Sequence, residues 1–514
     1  MRIAVLLSVL SGLLLTAGFP KFDWHFCSWV ALIPLLAALQ GKTARQSALL
    51  GFIGGLVHYL TALYWIRHVI YYYGGIPLPL AVAILLLLCC YLALYPTAFA
   101  LSAHRLERHP KLWVFGLPLI WVTLEWLRAH LLTGFPWANF GYTQTAFRQL
   151  VQVADITGVY GVSWLLVLMN TGLAAFFGRN RVKLGLAVAV GCVVLAVGYG
   201  HFRLQTIEGL QQQTAPWTVA VVQGNIDQAQ KWDPLYQQET LGRYRRLSLQ
   251  ATKHDPRPSL IVWPETAAPF FYGLDAGLTL QLNQIIEEIG VPVLFGSPSA
   301  RRIEGKTRLL NSAYVVDADG LVVGDYAKQH LVPFGEYVPY QRVLFFVHKL
   351  VEAAGNFAAG DNPSPMTVDG HKVAVLICYE AIFPDLARLA VEHGATCIAN
   401  ITNDAWFGTT SAPYQHKQMA GWRAMEFRVP LIRAANTGVS SIFDATGKSL
   451  GFIPLNQEGY LVANVRPLRV KTFYALWGDV FAWSCVAAAL AVFCGLEWLQ
   501  RRKRGTIHLH RSTD

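Results

Sequence analysis

Long apolar runs constrain this chain more than any other feature, because a helix that crosses a bilayer needs about 20 mostly apolar residues. Eight runs approach that length, and they cover residues 3–19, 27–39, 48–71, 78–102, 112–132, 161–177, 184–201 and 475–499. The second run is the shortest, although its start could extend back to Trp24. Charged residues make up only 14 % of the chain, against about 25 % in soluble domains. We therefore predict a multi-pass α-helical membrane bundle rather than a purely soluble protein.

An alternative interpretation of the first run is a signal peptide, since the basic residue Arg2 precedes it. Such a peptide needs a small-residue cleavage site after its apolar core. Here the run is followed by Phe19-Pro20-Lys21, which is a poor cleavage context. We predict an uncleaved first helix.

Basic residues are distributed unevenly between the predicted loops. With eight spans and an inner amino terminus, the inner loops and tail hold Lys42, Arg45, Arg105, Arg108, Lys111, Arg179, Arg181, Lys183, Arg501, Arg502, Lys503 and Arg504. The outer loops hold only Lys21, Arg67, Arg128 and Arg148. Because Lys and Arg are retained on the cytoplasmic side, both termini are predicted to be cytoplasmic and the segment 212–471 to lie outside, in the periplasm of a Gram-negative cell. Membrane topology then accounts for much of the net charge of +11. Nucleic-acid binding by the basic tail is the weaker interpretation.

The segment 212–471 has a different pattern from its surroundings. Short apolar strands are predicted at residues 218–223, 259–263, 292–296, 312–317, 321–326, 372–378, 397–402, 439–443 and 449–453. Helices are predicted at residues 233–251, 278–289, 385–393 and 415–427. This alternation indicates an α/β domain with a layered sheet. The predicted organisation is a membrane region at 1–211, an extramembrane domain at 212–471, and an eighth span with a basic tail at 472–514.

Three chemically active side chains stand at the ends of predicted strands in this domain. They are Glu265, Lys328 and Cys378. Active-site groups of open α/β sheets gather at the carboxyl ends of strands, where a carboxylate can accept a thiol proton and an ammonium can stabilise an anion. Taken singly, each has an ordinary structural interpretation: a surface carboxylate, a solvated lysine and a buried strand cysteine. Spacing alone does not show that the three meet.

An aromatic loop follows the fifth predicted span, at residues 133–142. One interpretation is an interfacial aromatic belt, and the other is the wall of a site at the membrane surface. Glu125 lies within the span, one helical turn before Arg128, and a carboxylate there usually has a partner or a role. A structural Glu125–Arg128 pair is the favoured interpretation.

Three sequence strings resemble the signatures of the nitrilase superfamily: Trp263-Pro264-Glu265, Tyr326-Ala-Lys328-Gln-His-Leu-Val-Pro333-Phe-Gly-Glu336 and Ile377-Cys378-Tyr379-Glu380. Further strings resemble the apolipoprotein N-acyltransferases: Val222-Gln-Gly-Asn-Ile226, Lys231-Trp232-Asp233-Pro234, Asn403-Asp-Ala-Trp406-Phe-Gly408, Arg433-Ala-Ala-Asn436-Thr-Gly438, Glu125-Trp-Leu-Arg128 and Gly134-Phe-Pro-Trp137. The resemblance covers essentially the whole chain. It implies a nitrilase-like αββα sandwich attached to the membrane bundle.

The resemblance also implies roles for individual residues. Cys378 is expected to be the nucleophile that carries a fatty acyl thioester, Glu265 the general base, and Lys328 an oxyanion-binding cation together with the backbone N–H of Tyr379. The expected supporting residues are Glu336, Tyr379 and Glu380. Residues expected to contact substrate are Trp232, Trp406 and Trp137.

The implied reaction moves a fatty acyl chain from a phospholipid, typically phosphatidylethanolamine, to the α-amine of an S-diacylglyceryl cysteine on an apolipoprotein. A bacterial inner-membrane monomer is expected, with membrane lipid and lipoprotein as partners. Neither a metal nor an organic cofactor is required, and six of the eight cysteines lie in apolar runs without a metal-binding spacing. Two rival interpretations remain open: a membrane-tethered nitrilase-type amidase, and a transporter whose outer domain only binds substrate.

Overall fold

The computed structural model describes residues 1–178, 182–303, 305–339 and 357–511, with side chains up to residue 498. The predicted loop charges Arg179 and Arg181 lie outside the described residues, as do the side chains of the basic tail. The amino-terminal part is helical, and its α-helices are Arg2–Ala17 (α1), Ile33–Leu39 (α2), Ala44–Ala62 (α3), Trp65–Tyr72 (α4), Leu78–Leu106 (α5), Pro110–His130 (α6), Arg148–Val151 (α7), Ala154–Thr157 (α8), Val159–Phe177 (α9) and Lys183–Gln213 (α10). Helix α10 runs past the predicted domain boundary at residue 211.

Within the described residues, five helices are long and apolar enough to cross a membrane: α5, α6, α9, α10 and Val480–Trp498 near the carboxyl end. The pair α3 and α4 forms a sixth candidate that is bent by 55°. The first predicted run forms the 16-residue helix α1. Eight continuous spanning helices are therefore not present in this part of the chain.

The second predicted span, 27–39, is wrong as a continuous helix. It forms a 3₁₀ turn at His25–Trp29 followed by the seven-residue helix α2. Pro34 lies in the first turn of α2, where it starts a helix and cannot continue one. The Asn170 side chain accepts from Leu32 N at 2.8 Å and donates to Ser28 O at 2.9 Å. Irregular backbone at membrane depth is tolerated when protein groups satisfy it in this way.

The irregular segment nevertheless connects the two ends of the bundle. At one end, Pro20 O accepts a hydrogen bond from the extramembrane residue Gln415. At the other end, Gly41 N donates to Glu107 at 2.8 Å. The basic loops that hold Lys42 and Arg105 therefore share the end of the bundle opposite the extramembrane domain.

The extramembrane domain contains two six-stranded sheets. The strands are Trp217–Gln223 (β1), Leu260–Val262 (β2), Val293–Ile303 (β3), Lys306–Val316 (β4), Val322–Ala327 (β5), Met366–Val368 (β6), His371–Ile377 (β7), Cys397–Thr402 (β8), Leu431–Ala435 (β9), Ser440–Phe443 (β10), Ser449–Ile453 (β11) and Gly459–Val465 (β12). The first sheet has the order β12-β1-β2-β3-β4-β5 and the second the order β11-β10-β9-β8-β7-β6. In each sheet the three central strands, β1-β2-β3 and β7-β8-β9, are parallel.

Helices cover the outer face of each sheet. The remaining helices are Pro234–Ala251 (α11), Ala276–Ile289 (α12), Pro384–Glu392 (α13), Ala412–Phe427 (α14), Phe473–Trp477 (α15) and Val480–Arg511 (α16). Apolar side chains such as Val219 and Val375 fill the space between the sheets, because parallel strands are buried on both faces. Helices α11 and α12 pack on the first sheet, and α13 and α14 on the second. This αββα sandwich confirms the expected fold class.

Three strands were missed by sequence patterning: β6, β9 and β12. Strand β6 has only three residues, and β9 follows α14 with almost no polar break between them. Strand β12 pairs antiparallel with β1, which is far away in the sequence. Short strands and long-range pairings leave little local signal.

Candidate active site

The two sheets bring the three predicted strand-end residues to one place. Glu265 follows β2, Lys328 follows β5, and Cys378 follows β7. The Lys328 Nζ lies 4.0 Å from Glu265 Oε1. Cys378 is close enough for the charges of both residues to act on the pKa of its thiol. The carboxyl ends of the parallel strands in both sheets therefore meet at one edge, where the site is formed.

The Glu265 carboxylate is held by one donor on each oxygen. Asn311 Nδ2 donates to Oε1 at 2.8 Å, and the backbone N–H of Asn403 donates to Oε2 at 2.8 Å. Asn311 belongs to the first sheet and Asn403 follows a strand of the second. A side chain at Gly296 would collide with the Glu265 backbone at 2.7 Å, so this glycine permits the close approach of the turn. Glu265 is thereby fixed across the seam between the sheets.

Lys328 is 1 % exposed and forms an ion pair with Glu336 at 2.9 Å. Burial by itself would lower the pKa of the ammonium, but the negative charges of Glu336 and Glu265 together raise it above its ordinary value. Lys328 therefore remains protonated at any physiological pH. Glu336 also accepts from Asn311 Nδ2 at 3.0 Å, which links the cation to the residue that holds Glu265.

Cys378 begins a 3₁₀ turn directly after strand β7, with a φ of 53°. This left-handed conformation is unusual for a residue with a side chain. Burial raises the pKa of the thiol well above its ordinary value, and the charge of Glu265 raises it further, while Lys328 opposes the shift. The resting sulfur is consequently a thiol, which needs a base at the moment of reaction.

The buried carboxylate of Glu380 joins the turn of Cys378 to the loop of Lys328. It accepts from Ile377 N at 2.6 Å and from the backbone N–H groups of Gln329 and His330 at 2.6 and 3.0 Å. Burial raises its pKa to about 7, against the lowering effect of these donors and of Lys328. Glu380 thus sets the relative positions of Cys378 and Lys328.

Known proteins resemble this chain along its whole length. Residues 11–172 match the apolipoprotein N-acyltransferase N-terminal domain and residues 218–474 match the carbon-nitrogen hydrolase family. The apolipoprotein N-acyltransferase of Geobacter metallireducens is 44 % identical over 95 % of this chain and 94 % of that protein. The chain belongs to the apolipoprotein N-acyltransferase family. It is an acyltransferase of lipoprotein N-acylation with a nitrilase-superfamily domain, and its apolar helices fit the inner-membrane location of that family.

Two further relatives are more distant. The apolipoprotein N-acyltransferase of Methylococcus capsulatus is 33 % identical over 99 % of this chain and 99 % of that protein. A solved carbon-nitrogen hydrolase from Helicobacter pylori covers 52 % of this chain and 94 % of its own, at 18 % identity and a TM-score of 0.40.

Two polar residues of the acyltransferase site escaped the sequence analysis. Asn311 lies within β4, where a single polar residue gives no signal in one sequence. Lys231 is 2 % exposed, and its Nζ donates to Glu265 O at 3.1 Å. Burial lowers its pKa to about 8, although Glu265 and Cys378 act in the opposite direction. Its place next to Trp232, in a string that carried the family resemblance, was the available signal.

Sequence patterns also missed a buried cluster that consists of Asp404, His416 and Arg433. His416 contacts the backbone carbonyl of Cys378 at 3.1 Å. Asp404 forms an ion pair with Arg433 at 2.7 Å. These residues come from three separate segments, so their contact was not visible in the sequence.

The three predicted substrate-contacting tryptophans have different surroundings. Trp232 is 43 % exposed. The Trp406 ring packs edge-on against the Tyr73 ring of the bundle, with 4.9 Å between the ring centroids. Trp137 is 1 % exposed, and its Nε1 donates to Gln415 at 2.7 Å. Trp137 thus packs between the bundle and the domain, behind the site rather than on its surface.

The predicted Glu125–Arg128 ion pair is not formed. Arg128 donates instead to Phe135 O at 3.1 Å, to Trp137 O and to Asn139 Oδ1 at 2.6 Å. Glu125 Oε1 accepts from Trp121 at 3.0 Å and from Phe140 N at 2.7 Å. The aromatic loop thus supplies hydrogen-bond partners for both side chains, and these partners lie closer to Glu125 and Arg128 than the two side chains lie to each other. Both residues therefore fix this loop against α6.

Proposed function

We propose that this chain transfers a fatty acyl chain from a phospholipid to the α-amine of a lipoprotein's S-diacylglyceryl cysteine, through a thioester on Cys378. The observation that carries the proposal is the meeting of Cys378, Glu265 and Lys328 at one edge of the sandwich, beside the membrane bundle. A thiol, a base and a fixed cation are the groups that covalent acyl transfer requires.

In the first half-reaction, Glu265 takes the proton of the Cys378 thiol as the sulfur attacks the ester carbonyl of the donor lipid. The Lys328 ammonium and the N–H of Tyr379 stabilise the negative oxygen that forms. The tetrahedral intermediate collapses to the thioester, and the leaving alkoxide receives the proton from Glu265. The first product is a lysophospholipid.

In the second half-reaction, the acceptor amine attacks the thioester carbonyl. Glu265 removes one proton from the amine, and the same oxyanion donors act again. The thiolate of Cys378 then leaves and receives this proton from Glu265, which restores the resting enzyme. Glu336 and Glu380 hold Lys328 and the nucleophile turn in place during both steps. Trp232 and Trp406 belong to the walls that we assign to lipid contact and water exclusion, and the buried Trp137 supports these walls from behind.

The position of the site fits two lipid substrates. Each buried CH₂ group contributes about 0.8 kcal/mol to membrane anchoring, so a diacylated substrate does not leave the bilayer readily. The turn after Cys378 packs against the bundle through Ile382 and Phe383, which brings the thiol toward the lipid surface. A membrane region at 1–211, a domain at 212–471 and a final span at 472–514 describe this arrangement.

Loop charges support a periplasmic orientation of the site. The loops that hold Lys42 and Arg105 share the end of the bundle away from the domain, and Lys and Arg favour the cytoplasmic side. The cytoplasmic termini, phosphatidylethanolamine as donor, a monomeric state and catalysis without a cofactor complete the proposal.

The deciding experiment detects the acyl-enzyme. Purified protein in detergent is incubated with phosphatidylethanolamine without an acceptor and digested, and the mass of the peptide that holds Cys378 is measured. We expect the mass of one fatty acyl chain, released by hydroxylamine as a thioester is. Cys397→Ala serves as the matched control, because that buried cysteine lies outside the site, and it should leave the adduct intact.

Two results would contradict the proposal. An absent adduct together with release of ammonia from simple amides would indicate the tethered amidase. Full acyl transfer by Cys378→Ala would remove the nucleophile from the mechanism and leave a binding domain, as in the transporter interpretation.

A further inference from the structure

His416 holds the backbone carbonyl of Cys378. It lies on α14 and is 1 % exposed. Its Nε2 is 3.1 Å from the carbonyl oxygen of Cys378. A carbonyl oxygen only accepts hydrogen bonds, so the Nε2 of His416 carries the proton.

The Cys378 carbonyl and the Tyr379 N–H belong to the same peptide group. In a trans peptide these two bonds point in opposite directions, because the group is planar. A donor that holds the carbonyl from one side therefore aims the N–H toward the other. Among the described residues, no acceptor outside the turn Cys378–Ile382 takes the N–H of Tyr379, as is usual at the start of a helical turn.

The imidazole is itself fixed by two buried charged residues. His416 Nδ1 lies 3.0 Å from Asp404 Oδ1 and 3.2 Å from Arg433 Nη2. Asp404 also accepts from Thr402 Oγ1 at 3.0 Å. Burial alone would raise the pKa of Asp404, but Arg433 and His416 lower it to about 2. Burial and the charge of Arg433 lower the pKa of His416, whereas Asp404 and the hydrogen bond to the Cys378 carbonyl raise it. In either charge state of the ring, the Nε2–H stays directed at the carbonyl of Cys378.

We propose that His416 is a positioning residue that orients and polarises the Cys378–Tyr379 peptide as the backbone donor of the oxyanion site. The inference rests on the proposed function, since an oxyanion forms only when Cys378 attacks an acyl carbonyl or when an acceptor attacks the resulting thioester. Hydrogen bonds in a chain strengthen one another, so the bond to the carbonyl makes the Tyr379 N–H a better donor. The same bond compensates for the left-handed backbone at Cys378.

The test separates oxyanion stabilisation from thiol reactivity. One readout is the rate of acyl-enzyme formation from a fluorescent phosphatidylethanolamine. The other is the rate at which iodoacetamide alkylates Cys378, a displacement that needs the thiolate but forms no oxyanion. Loss of one oxyanion donor typically lowers kcat by about 10²–10³-fold. For His416→Leu we therefore expect acylation to fall about 100-fold and alkylation to stay within about twofold.

His416→Gln is the conservative variant, because its amide nitrogen can reach the position of Nε2. Its acylation rate should be about tenfold higher than that of His416→Leu. On a logarithmic scale this restores half of the roughly 100-fold loss expected for one donor. Lys417→Gln is the matched control, since Lys417 is the next residue of α14 and its ammonium lies over the Phe452 ring, 5.0 Å from the ring centroid. Both rates should be unchanged in that control.

Several results would overturn the inference. Equal losses of acylation and alkylation would show that His416 only places the thiol, and an unchanged acylation rate would remove the role altogether. If His416→Leu fails to fold, the rates of acylation and of Cys378 alkylation are compared in His416→Gln and Asp404→Asn instead. Parallel losses of these two rates would reject the inference. Failure of the proposed function gives a different result, because wild-type protein would then form no acyl-enzyme at all.

Discussion

The two sheets of the sandwich supply different parts of the site and have different surroundings. The sheet that carries Glu265 and Lys328 is backed by α11 and α12, whose outer face meets solvent, as the 84 % exposure of Leu235 shows. The sheet that carries Cys378 is backed by α14, which is buried on almost every side. Met419 and Trp422 of α14 pack into the core of the membrane bundle. Cys378 is therefore on the sheet that is attached to the membrane part.

The contacts around each half of the site show the same difference. Lys328 and Glu265 are held by Asn311 and Glu336, which belong to the domain itself. The segment after β8 is held by the bundle through three hydrogen bonds: Tyr73 Oη to Ala405 O at 2.9 Å, Ser411 N to Tyr64 Oη at 3.1 Å and Lys21 Nζ to Thr409 O at 2.6 Å. We infer that the domain by itself positions Lys328 and one oxygen of Glu265. The bundle acts on the segment after β8, where Asn403 holds the other Glu265 oxygen and Asp404 holds His416 beside Cys378.

Lys328→Met should have the largest effect, because it leaves two buried carboxylates, Glu265 and Glu336, without their cation. Removing one partner of a buried ion pair costs about 3 kcal/mol of stability, and loss of an oxyanion donor adds a factor of about 10²–10³. We expect acyl-enzyme formation to fall at least about 1,000-fold, with a lower melting temperature in detergent.

The control for this variant is Lys253→Met, which removes an exposed lysine at the end of α11. A loss of less than about tenfold in Lys328→Met would show that the domain half of the site does not depend on this cation.

Trp406→Ala tests the half that faces the bundle. Its ring packs against Tyr73, and we expect its removal to admit water to the thioester. The ratio of released free fatty acid to transferred acyl chain should rise about 30-fold, which corresponds to about 2 kcal/mol in the partition. Trp483→Ala, at a 55 % exposed position of α16, should leave the ratio unchanged. Intact transfer without added hydrolysis in Trp406→Ala would refute the shielding role.

Lys231 gives a pH test on the domain half. With its pKa lowered to about 8 by burial, the ammonium is present below pH 8 and lost above it. We expect acyl-enzyme formation to fall as the pH rises through about 8, since a cation near the thiolate is then lost. Lys231→Arg should move this decline above pH 10, because guanidinium stays charged, and Lys231→Met should be about tenfold slower below pH 8.

Measuring only the first half-reaction avoids titration of the acceptor amine, whose pKa falls in the same range. A decline near pH 8 that persists in Lys231→Arg would assign it to another group.

Tyr73→Phe should have the smallest effect. It removes one hydrogen bond to Ala405 O and keeps the ring, and such a bond contributes about 1 kcal/mol. We expect acyl transfer to be about fivefold slower, with the alkylation rate of Cys378 lowered by a similar factor. Tyr71→Phe is the matched control, since Tyr71 is 41 % exposed on the helix that ends directly before Tyr73. Equal effects of the two substitutions would mean that the bundle does not act on the nucleophile side through this bond.

Local pattern predicted much of the site. Strings that end apolar strands located Glu265, Lys328 and Cys378, because a polar residue after a buried strand stands out in one sequence. The order of helices α11 to α14 and of nine of the twelve strands also followed from alternation, whereas β6, β9 and β12 were missed. Asn311, Lys231 and His416 were not found, since each is a single polar residue whose partners are far away in the chain.

The sequence by itself determined that the chain has apolar helices, an α/β domain and three reactive residues at strand ends, because each of these depends on the neighbouring residues. Tertiary structure alone decided that Asn170 satisfies a broken second helix, that Arg128 turns to the aromatic loop instead of Glu125, and that His416 meets the Cys378 carbonyl. Buried polar groups take the partner that packing brings within reach, and this choice is made only when distant segments come together.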